Sequence, residues 1–557
     1  MRYAILCALA VVMPTVTIGA QRAGVTALPD SIITQIDRAF SSLGGAGAPG
    51  CAVGLSQNGQ PVLTRAYGLA NLEYDVPNTP ETIFESGSVA KQFTSAAVVL
   101  LAQDGKLSLD DDVRKYLPEV PRFGKTITIR HLLTHTSGLR DQWGLLGLKG
   151  MGPGTQVHTL NTILDLVQRQ KALNFEPGSE YLYSNTGYAL AAVIVQRVSG
   201  TSFAAFSVER LFKPLGMTST QWRDDFTRVV KHRATAYDRR PQGGFITDMP
   251  FTNVHGNGGL LTNVGDLLKW NAFLDNPGAI PGGSRLVEAL QTQMTLNSGK
   301  RIAYALGVSV GVQDGIREVT HGGSTAGYRT WLARYPDQKV SVAVLCNAGT
   351  ANATGLGTTA SNLLLSRPMR SAPVAANDQA YAPPADLEKY AGIFRAPSTQ
   401  LVVRTAVRDG KLVTLAPTQL PLTPTGVDRF RVPGQGELAY RFANGALQDV
   451  MLLGPSDTTR YDVMAVASPS IRELAAYAGS YWSDELDARI VVEVRDTVLV
   501  VKQRPADEAV LRPTFRDGFV GAGVGTVVFS RDAQGRITGF GIWAGRVRDV
   551  RFVREKR

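Results

Sequence analysis

The sequence predicts an α+β region followed by two small all-β units. Before residue 366, helical stripes of apolar residues alternate with short strand pairs, and the clearest helix runs from Val89 until Asp104-Gly105 stops it. Residues 366–385 are rich in Pro, Ala and Ser with little apolar content, which is typical of a linker. Beyond this linker, alternating apolar residues predict strands without a strong helical period.

Length and charge limit the possible functions. At 557 residues the chain is too long for one hydrophobic core and suggests about three domains. A hydrophobic content of 44% with 19% charged residues is typical of a soluble globular protein. The formal charge of +11 is spread along the chain without a Lys/Arg block, which argues against nucleic-acid binding.

Residues 1–20 have the pattern of a cleaved secretory signal. Arg2 precedes an apolar run from Tyr3 to Met13, and the segment ends on small residues before Gln21. The apolar run is too short to span a membrane, and no later run is long enough. We therefore expect a periplasmic or secreted protein with no integral membrane segment after cleavage.

A helical pattern at 28–43 precedes a predicted hairpin. Its strands, 51–56 and 61–67, are joined by a turn that contains Asn58-Gly59. The glycines before it have the spacing of a dinucleotide-binding fingerprint, but that fingerprint follows a strand and opens a helix. Because the order here is reversed, no nucleotide cofactor is predicted. The glycines concerned are Gly45, Gly47 and Gly50.

A Ser and a Lys lie three residues apart where the helix near Val89 begins. Residues three apart on a helix share a face, so the Ser88 hydroxyl and the Lys91 amine can meet. The helix N-terminus offers unpaired N–H groups and positive potential, which would stabilise an alkoxide on Ser88. Taken alone, such a pair is more often a helix cap beside a solvated lysine.

Other polar stretches differ in what they indicate. His131 and His135 have the spacing of a helical zinc pair, but Leu132 stands where a Glu is expected and no ligand carboxylate follows, so no metal is predicted. Tyr183 and Asn185 stand at a loop-to-helix junction, where side chains can point into a cleft.

Two glycine-rich stretches follow. Residues 256–262 precede an amphipathic helix and are interpreted as structural. Residues 320–328 form a turn-rich stretch whose glycines would let the backbone approach a ligand, and two strands follow at 330–335 and 340–345.

The tail contains a weak internal repeat. The sequence Leu387-x-x-Tyr390-Ala391-Gly392-Ile393-Phe394 returns as Leu474-x-x-Tyr477-Ala478-Gly479-Ser480-Tyr481. We therefore expect two tandem β-barrel-like units, at 386–465 and 470–557.

Three motifs, in order, resemble those of the penicillin-recognising serine hydrolases: Ser88-x-x-Lys91, Tyr183-Ser184-Asn185 and His321-Gly322-Gly323. This superfamily includes class C β-lactamases, DD-peptidases, D-aminopeptidases and related esterases. The resemblance covers residues 26–365 and implies a β-lactamase/transpeptidase-like catalytic domain, an antiparallel sheet flanked by helices. The two β units resemble, more weakly, the lipocalin-like domains of some D-aminopeptidases.

The resemblance implies an acyl-enzyme mechanism. Ser88 would attack an acyl carbonyl, while Lys91 and Tyr183 share the role of base and later activate water. The backbone N–H groups of Ser88 and Ser324 would form the oxyanion hole.

Substrate contacts would fall to Asn185, which could instead hold the lysine in place, and to His321, Gly322 and Gly323. The third motif commonly begins with Lys, a permanent cation suited to a substrate carboxylate, whereas His321 is mostly neutral near pH 7. This departure argues against carboxylate-bearing substrates of DD-carboxypeptidases and β-lactamases.

The leading prediction is an exported, D-aminopeptidase-like serine hydrolase with a small-molecule or peptide substrate and no cofactor. An esterase of the same fold, a β-lactamase and a non-catalytic envelope-binding protein remain alternatives. No Gly-x-Ser-x-Gly occurs, so an α/β-hydrolase nucleophile elbow is excluded. Specificity is expected in the loops 144–159 and 242–255, and no oligomeric state is predicted.

In the resembled fold, the first strand after the N-terminal helix pairs antiparallel with the last strand of the sheet. Cys51 opens the former and Cys346 closes the latter. The resemblance thus implies that the two thiols lie side by side, where an exported protein can form a disulfide. Two buried free thiols are the alternative.

Overall fold

The computed structural model describes residues 28–41, 47–367, 381–382, 384–415, 419–454, 458–503 and 508–556. The predicted signal at 1–20 and most of the predicted linker, 368–380 and 383, lie outside the described residues.

The N-terminal domain mixes short strands with helices. Its strands are β1 (Cys51–Gln57), β2 (Gln60–Tyr67), β3 (Leu69–Asn71), β4 (Val76–Pro77), β5 (Phe84–Glu85), β6 (Gln221–Trp222), β7 (Tyr237–Arg239), β8 (Phe245–Thr247), β9 (Leu260–Thr262), β10 (Ser309–Gln313), β11 (Ile316–Thr325), β12 (Tyr328–Tyr335) and β13 (Val340–Cys346). Its helices are α1 (Asp30–Ser41), α2 (Lys91–Gln103), α3 (Ile129–Leu133), α4 (Gln142–Leu148), α5 (Leu160–Arg169), α6 (Asn185–Ser199), α7 (Phe203–Ser207), α8 (Val264–Asp275), α9 (Gly283–Gln291) and α10 (Ala353–Leu364).

A six-stranded antiparallel sheet forms the middle layer, with the strand order β10-β11-β12-β13-β1-β2. Apolar side chains of α1 and α10 pack on one face of this sheet, and α8 packs on the other. Cys51 lies opposite Cys346 in the β1–β13 pair, and their sulfur atoms are 2.07 Å apart, as in a disulfide.

The glycine-rich stretch that follows residue 319 is more regular than the sequence indicates. The sequence indicates a turn-rich stretch at 320–328, but residues up to Thr325 belong to β11 and only Ala326 and Gly327 form the turn into β12. Gly323 is needed for close packing of this strand, whereas Gly327 lies in the turn. β11 packs against a 3-10 turn, Gly87–Ala90, that leads directly into α2.

α2 is the central helix of the domain. Every residue from Lys91 to Leu101 is buried, and α6, α7 and α9 pack around the helix. Its small and apolar residues on all sides explain this position, since a helix without a polar face is stable only when fully covered. Lys91 at its first position is therefore removed from water.

Two all-β units follow. The first contains β14 (Gly392–Arg395), β15 (Val402–Arg408), β16 (Lys411–Thr414), β17 (Leu420–Pro421), β18 (Thr423–Gly426), β19 (Arg429–Val432), β20 (Gly436–Ala443), β21 (Ala446–Leu453) and β22 (Thr458–Met464). The second contains α11 (Ile471–Ala475), β23 (Gly479–Ser483), β24 (Ala488–Arg495), β25 (Val498–Lys502), β26 (Glu508–Pro513), β27 (Gly518–Gly521), β28 (Gly525–Arg531), β29 (Ile537–Ala544) and β30 (Val547–Arg554).

The second unit is a closed eight-stranded barrel, and the first is a nine-stranded sheet with β17 and β18 at its edges. The α+β domain followed by barrel-like units confirms the predicted fold class. The repeat has a structural counterpart: the hydroxyls of Tyr390 and Tyr477 donate to Asp428 (2.6 Å) and Asp517 (2.7 Å), one within each unit.

Within the described ranges, no single helix is long and apolar enough to cross a membrane; only α6 taken together with the segment Phe203–Phe212, bent by 83°, meets that length and composition.

Candidate active site

The turn before α2 places Ser88 where a nucleophile is needed. Gly87 has φ +52°, and a Cβ on it would lie 2.6 Å from the backbone nitrogen of Ser324. On the other side, a Cβ on Gly323 would lie 2.0 Å from the Ser86 carbonyl oxygen and 3.2 Å from the Ser88 nitrogen. The two backbones can approach this closely only because both positions are glycine. The Ser88 and Ser324 N–H groups are thereby brought together, as an oxyanion hole requires.

Lys91 reaches Ser88 as the spacing predicts. Its Nζ lies 3.1 Å from Ser88 Oγ, 2.9 Å from Asn185 Oδ1 and 2.6 Å from the Asn257 carbonyl oxygen. Burial lowers the pKa of the amine well below its usual value, Asp141 acts in the opposite direction, and Arg546 lowers it further. A neutral amine in contact with Ser88 can accept the hydroxyl proton.

Tyr183 lies next to the nucleophile, just before α6. Its hydroxyl is buried and has no hydrogen-bond partner within the described part of the chain. Burial raises the pKa of the phenol, while neighbouring Ser88 and Arg546 act to lower it. Lys91 Nζ lies 4.8 Å from the ring centroid, so the lysine touches both the hydroxyl of Ser88 and the tyrosine ring. A protonated phenol here is a proton donor.

His135 packs against the tyrosine and its loop. Its ring centroid is 4.1 Å from that of Tyr183, and its Nδ1 accepts a hydrogen bond from the Ser184 N–H (3.1 Å). His131 lies on α3, whereas His135 follows that helix with φ +59°, so the two do not share a helical face. Among the described residues, no group of three His, Cys, Asp or Glu could hold a metal.

Asn185 holds the lysine, one of the two roles considered for it. Its Oδ1 accepts from Lys91, and its Nδ2 donates to Asp141 Oδ2 (2.9 Å). The Asp141 carboxylate also accepts from the backbone N–H groups of Asn185 (2.7 Å) and Trp143 (3.0 Å). Asp141 thus caps α4 and fixes the start of α6 at once.

His321 does not present a cation to the cleft. Burial, with a smaller contribution from Lys91, lowers its pKa to about 4. Its two ring nitrogens contact the Gly322 carbonyl oxygen (Nδ1, 2.6 Å) and the Tyr304 hydroxyl (Nε2, 3.0 Å). The neutral ring donates to the former and accepts from the latter, and neither nitrogen is left for a substrate carboxylate.

These groups open into a cleft of about 810 Å³. Both loops expected to carry specificity line it, through Gly154 and His158 from the first and Asp248 and Phe251 from the second. The closed barrel also reaches it, because Arg546 lines the same cleft. Ser88, Tyr183, Asn185 and His321-Gly322-Gly323-Ser324 are all among its lining residues.

Sequence reasoning missed three contributors. The sequence of residues 256–262 indicates a structural role, but the Asn257 carbonyl oxygen accepts a hydrogen bond from the Lys91 amine. An acidic residue just before a helix is typical of a helix cap, so the sequence could have indicated that role for Asp141. It could not have indicated the contact with Asn185. Nothing near Arg546 in the sequence indicates that it lies in a cleft whose other lining residues lie between Glu85 and Thr354.

The beta-lactamase family model matches residues 36–367, which is more than half of the chain. The chain belongs to the beta-lactamase family. This beta-lactamase family member is a serine hydrolase of the Ser-x-x-Lys class, and the resemblance seen in the sequence is confirmed.

Relatives with a longer match cover the β units as well. A D-aminopeptidase from Cereibacter sphaeroides (strain KD131) is 27% identical over 470 residues, 83% of this chain and 85% of its own length. A D-aminopeptidase from Brucella melitensis biotype 2 is 27% identical over 515 residues, 89% of this chain and 94% of its own length. The solved structure of an octameric penicillin-binding protein homologue from Pyrococcus abyssi is similar with 25% identity and a TM-score of 0.55, and the match covers 78% of this chain and 98% of that one.

Proposed function

We propose that this family member is an exported D-amino-acid peptidase that acts through an acyl-enzyme on Ser88. The observation that carries the proposal is the contact of one buried lysine with the Ser88 hydroxyl and the Tyr183 ring. The D-aminopeptidases to which the chain is similar supply the substrate class.

The reaction follows from these contacts. Lys91 accepts the Ser88 proton over 3.1 Å while Oγ attacks the substrate carbonyl, and the two backbone N–H groups of Ser88 and Ser324 bind the developing oxyanion. Tyr183 then donates a proton to the departing amine. In the second half, water replaces the amine: the Tyr183 phenolate takes a proton from the water as it attacks the acyl-enzyme, and Lys91 returns its proton to Ser88 Oγ as the acyl group leaves as the free acid.

A carboxylate in the cleft favours a substrate with a free amine. Asp248 lines the cleft, and burial raises its pKa, with Asp238 adding to the effect and Arg329 opposing it. Its carboxylate makes no hydrogen bond or salt bridge to the described residues. Such a group would attract the ammonium of an N-terminal amino acid.

Export rests on two independent features. Residues 1–20 have the pattern of a secretory signal. The bonded pair Cys51–Cys346 is typical of oxidising compartments. Cell fractionation with a processed N-terminus would test this part, and an unprocessed cytosolic protein would contradict it.

The activity is tested with D-alanyl p-nitroanilide, its L enantiomer, p-nitrophenyl acetate and a cephalosporin. We expect hydrolysis of the D anilide above the L anilide, and its loss in Ser88→Ala. Ser298→Ala, at an exposed serine that does not line the cleft, is the matched control. Hydrolysis of the ester or the cephalosporin without the D anilide would contradict the peptidase proposal. Full activity of Ser88→Ala would contradict the mechanism.

A further inference from the structure

Arg546 brings a positive charge from the barrel into the active-site cleft. It occupies the second position of the two-residue loop that joins β29 to β30. Its guanidinium carbon lies over the Tyr183 ring, 4.6 Å from the centroid, and the side chain is 48% exposed. A guanidinium stacked on an aromatic face keeps its in-plane N–H groups available for another partner.

The loop is held firmly against the catalytic domain. The Asn174 side chain donates to the Arg546 carbonyl oxygen (2.9 Å) and accepts from the Arg548 N–H (2.8 Å), so one amide clamps both sides of the position. The buried Arg140 donates to the Arg548 carbonyl oxygen (2.9 Å) and pairs with Glu485 of the barrel (2.7 Å). Arg546 therefore has a fixed position at the edge of the cleft.

The guanidinium of Arg546 donates no hydrogen bond to the described residues, in contrast to those of the other arginines that line the cleft. Arg223 forms two hydrogen bonds with the Glu85 carboxylate (2.8 and 3.0 Å). Arg329 donates to two backbone carbonyl oxygens of its own turn. In the described ranges, the Arg546 guanidinium donates no hydrogen bond, and its one ionic neighbour, Asp141, is 3.9 Å away.

Asp141 does not satisfy the guanidinium. Its Oδ2 already accepts both the N–H and the Nδ2 of Asn185, and its Oδ1 accepts from Trp143. At 3.9 Å the contact is beyond hydrogen-bond range. The five N–H donors of an arginine match a carboxylate in a two-bond geometry, and none of the described carboxylates binds Arg546 in this way.

The position relative to Tyr183 indicates which part of a substrate Arg546 would meet. Tyr183 donates its proton to the departing amine in the proposed reaction, so it faces the leaving group. Arg546 lies over the same ring and lines the same cleft, so we place its guanidinium on the leaving-group side. In a peptide substrate, the charged group closest to the departing amine is the carboxylate of that residue.

We propose that Arg546 binds the free carboxylate of the leaving residue, so that the preferred substrates are short D-aminoacyl peptides with an unblocked C-terminus. This inference deepens the proposed peptidase function and rests on it. The expectation drawn from His321 is that carboxylate-bearing substrates are disfavoured, because that position lacks a cation. In this proposal Arg546 of the barrel supplies the cation instead.

The kinetic test compares D-alanyl-glycine with D-alanyl-glycinamide. Both peptides transfer the same D-alanyl group to Ser88. Any general effect of a variant on the chemistry therefore cancels in the ratio of their kcat/KM values. We expect the wild type to prefer the acid about 10- to 100-fold, the range for charge-assisted hydrogen bonds. Arg546→Met should bring the ratio near one, and Arg546→Lys should retain part of it.

The matched control is Arg536→Met. Arg536 precedes β29 at the end opposite the Arg546 loop, and its side chain is 76% exposed. It should keep the wild-type ratio. An equal ratio in wild type and Arg546→Met, or a wild-type preference for the amide, would overturn the proposal.

A binding measurement separates this proposal from the peptidase function. Titration calorimetry of the two dipeptides with Ser88→Ala needs no turnover. Tighter binding of the acid, lost when Arg546→Met is added, would support the carboxylate site. If the wild type binds the acid in this way but hydrolyses neither peptide, only the peptidase function is contradicted. Equal binding of acid and amide, or no binding of either, would overturn the carboxylate site.

Discussion

Alanine at Gly323 tests whether the oxyanion hole depends on close backbone contact. The new Cβ would lie 2.0 Å from the Ser86 carbonyl oxygen, about 1 Å inside any contact that real side chains make. The clash is with backbone, so no side-chain rotation can relieve it. Either β11 or the turn at Gly87–Ala90 has to move, and the Ser324 N–H moves away from Ser88 with it.

The expected loss follows from what that donor does. Removal of one oxyanion donor typically costs 10²–10³ in kcat, or about 3–4 kcal/mol of transition-state stabilisation. A shift of about 1 Å weakens the donor, so we expect a loss of about 100-fold or more in kcat. KM should change much less, because the ground-state carbonyl depends less on this contact.

Gly322 provides the comparison. A Cβ there would meet Trp331 at 3.7 Å, an ordinary van der Waals contact. Gly322→Ala and Gly323→Ala are compared by D-alanyl p-nitroanilide kinetics and by thermal unfolding, so that misfolding is recognised. A Gly323→Ala enzyme with wild-type kcat, or equal losses in both variants, would refute the reasoning about the oxyanion hole.

Further outcomes concern the base, the sulfur pair and the barrel contact. Since burial lowers the pKa of Lys91 and only the neutral amine accepts a proton, kcat/KM should rise as the pH rises through this pKa. A kcat/KM that falls over that pH range would contradict the role of Lys91 as base. Alkylation of the denatured, non-reduced protein should modify neither Cys51 nor Cys346, and two modified thiols on mass analysis would contradict the bond. Arg140→Met should lower the free energy of unfolding by about 3–5 kcal/mol, because Glu485 is left as a buried, unpaired carboxylate; a change below 1 kcal/mol in chemical denaturation would contradict this.

Local sequence patterns predicted the parts of the site that lie close together in the chain. Ser88 and Lys91 meet because helical spacing is a local property, and the apolar run after them explains why the lysine is buried. The order of the three motifs predicted that Tyr183 and Ser324 come to the same place. The pairing of Cys51 with Cys346 followed from the resembled sheet and is observed in the register.

The remaining parts depend on tertiary contacts. Asn257 contributes only a carbonyl oxygen, which any residue type could supply, so its identity carries no signal. The Tyr304 hydroxyl hydrogen-bonds to the buried His321 from another segment of the chain, so the histidine has a polar partner that its own local sequence does not reveal. Arg546 follows an ordinary Gly in a hairpin turn, and its place in the cleft depends on how Asn174 and Arg140 hold the barrel.

Labelling with a fluorophosphonate, followed by peptide mapping, tests most directly whether this site performs acyl-transfer chemistry on Ser88. We predict one modified peptide that contains Ser88, no labelling in Ser88→Ala, and slower labelling in Lys91→Ala, which lacks the base 3.1 Å from the hydroxyl. A label on another residue, or continued labelling and hydrolysis by Ser88→Ala, would contradict the assignment of Ser88 as the nucleophile.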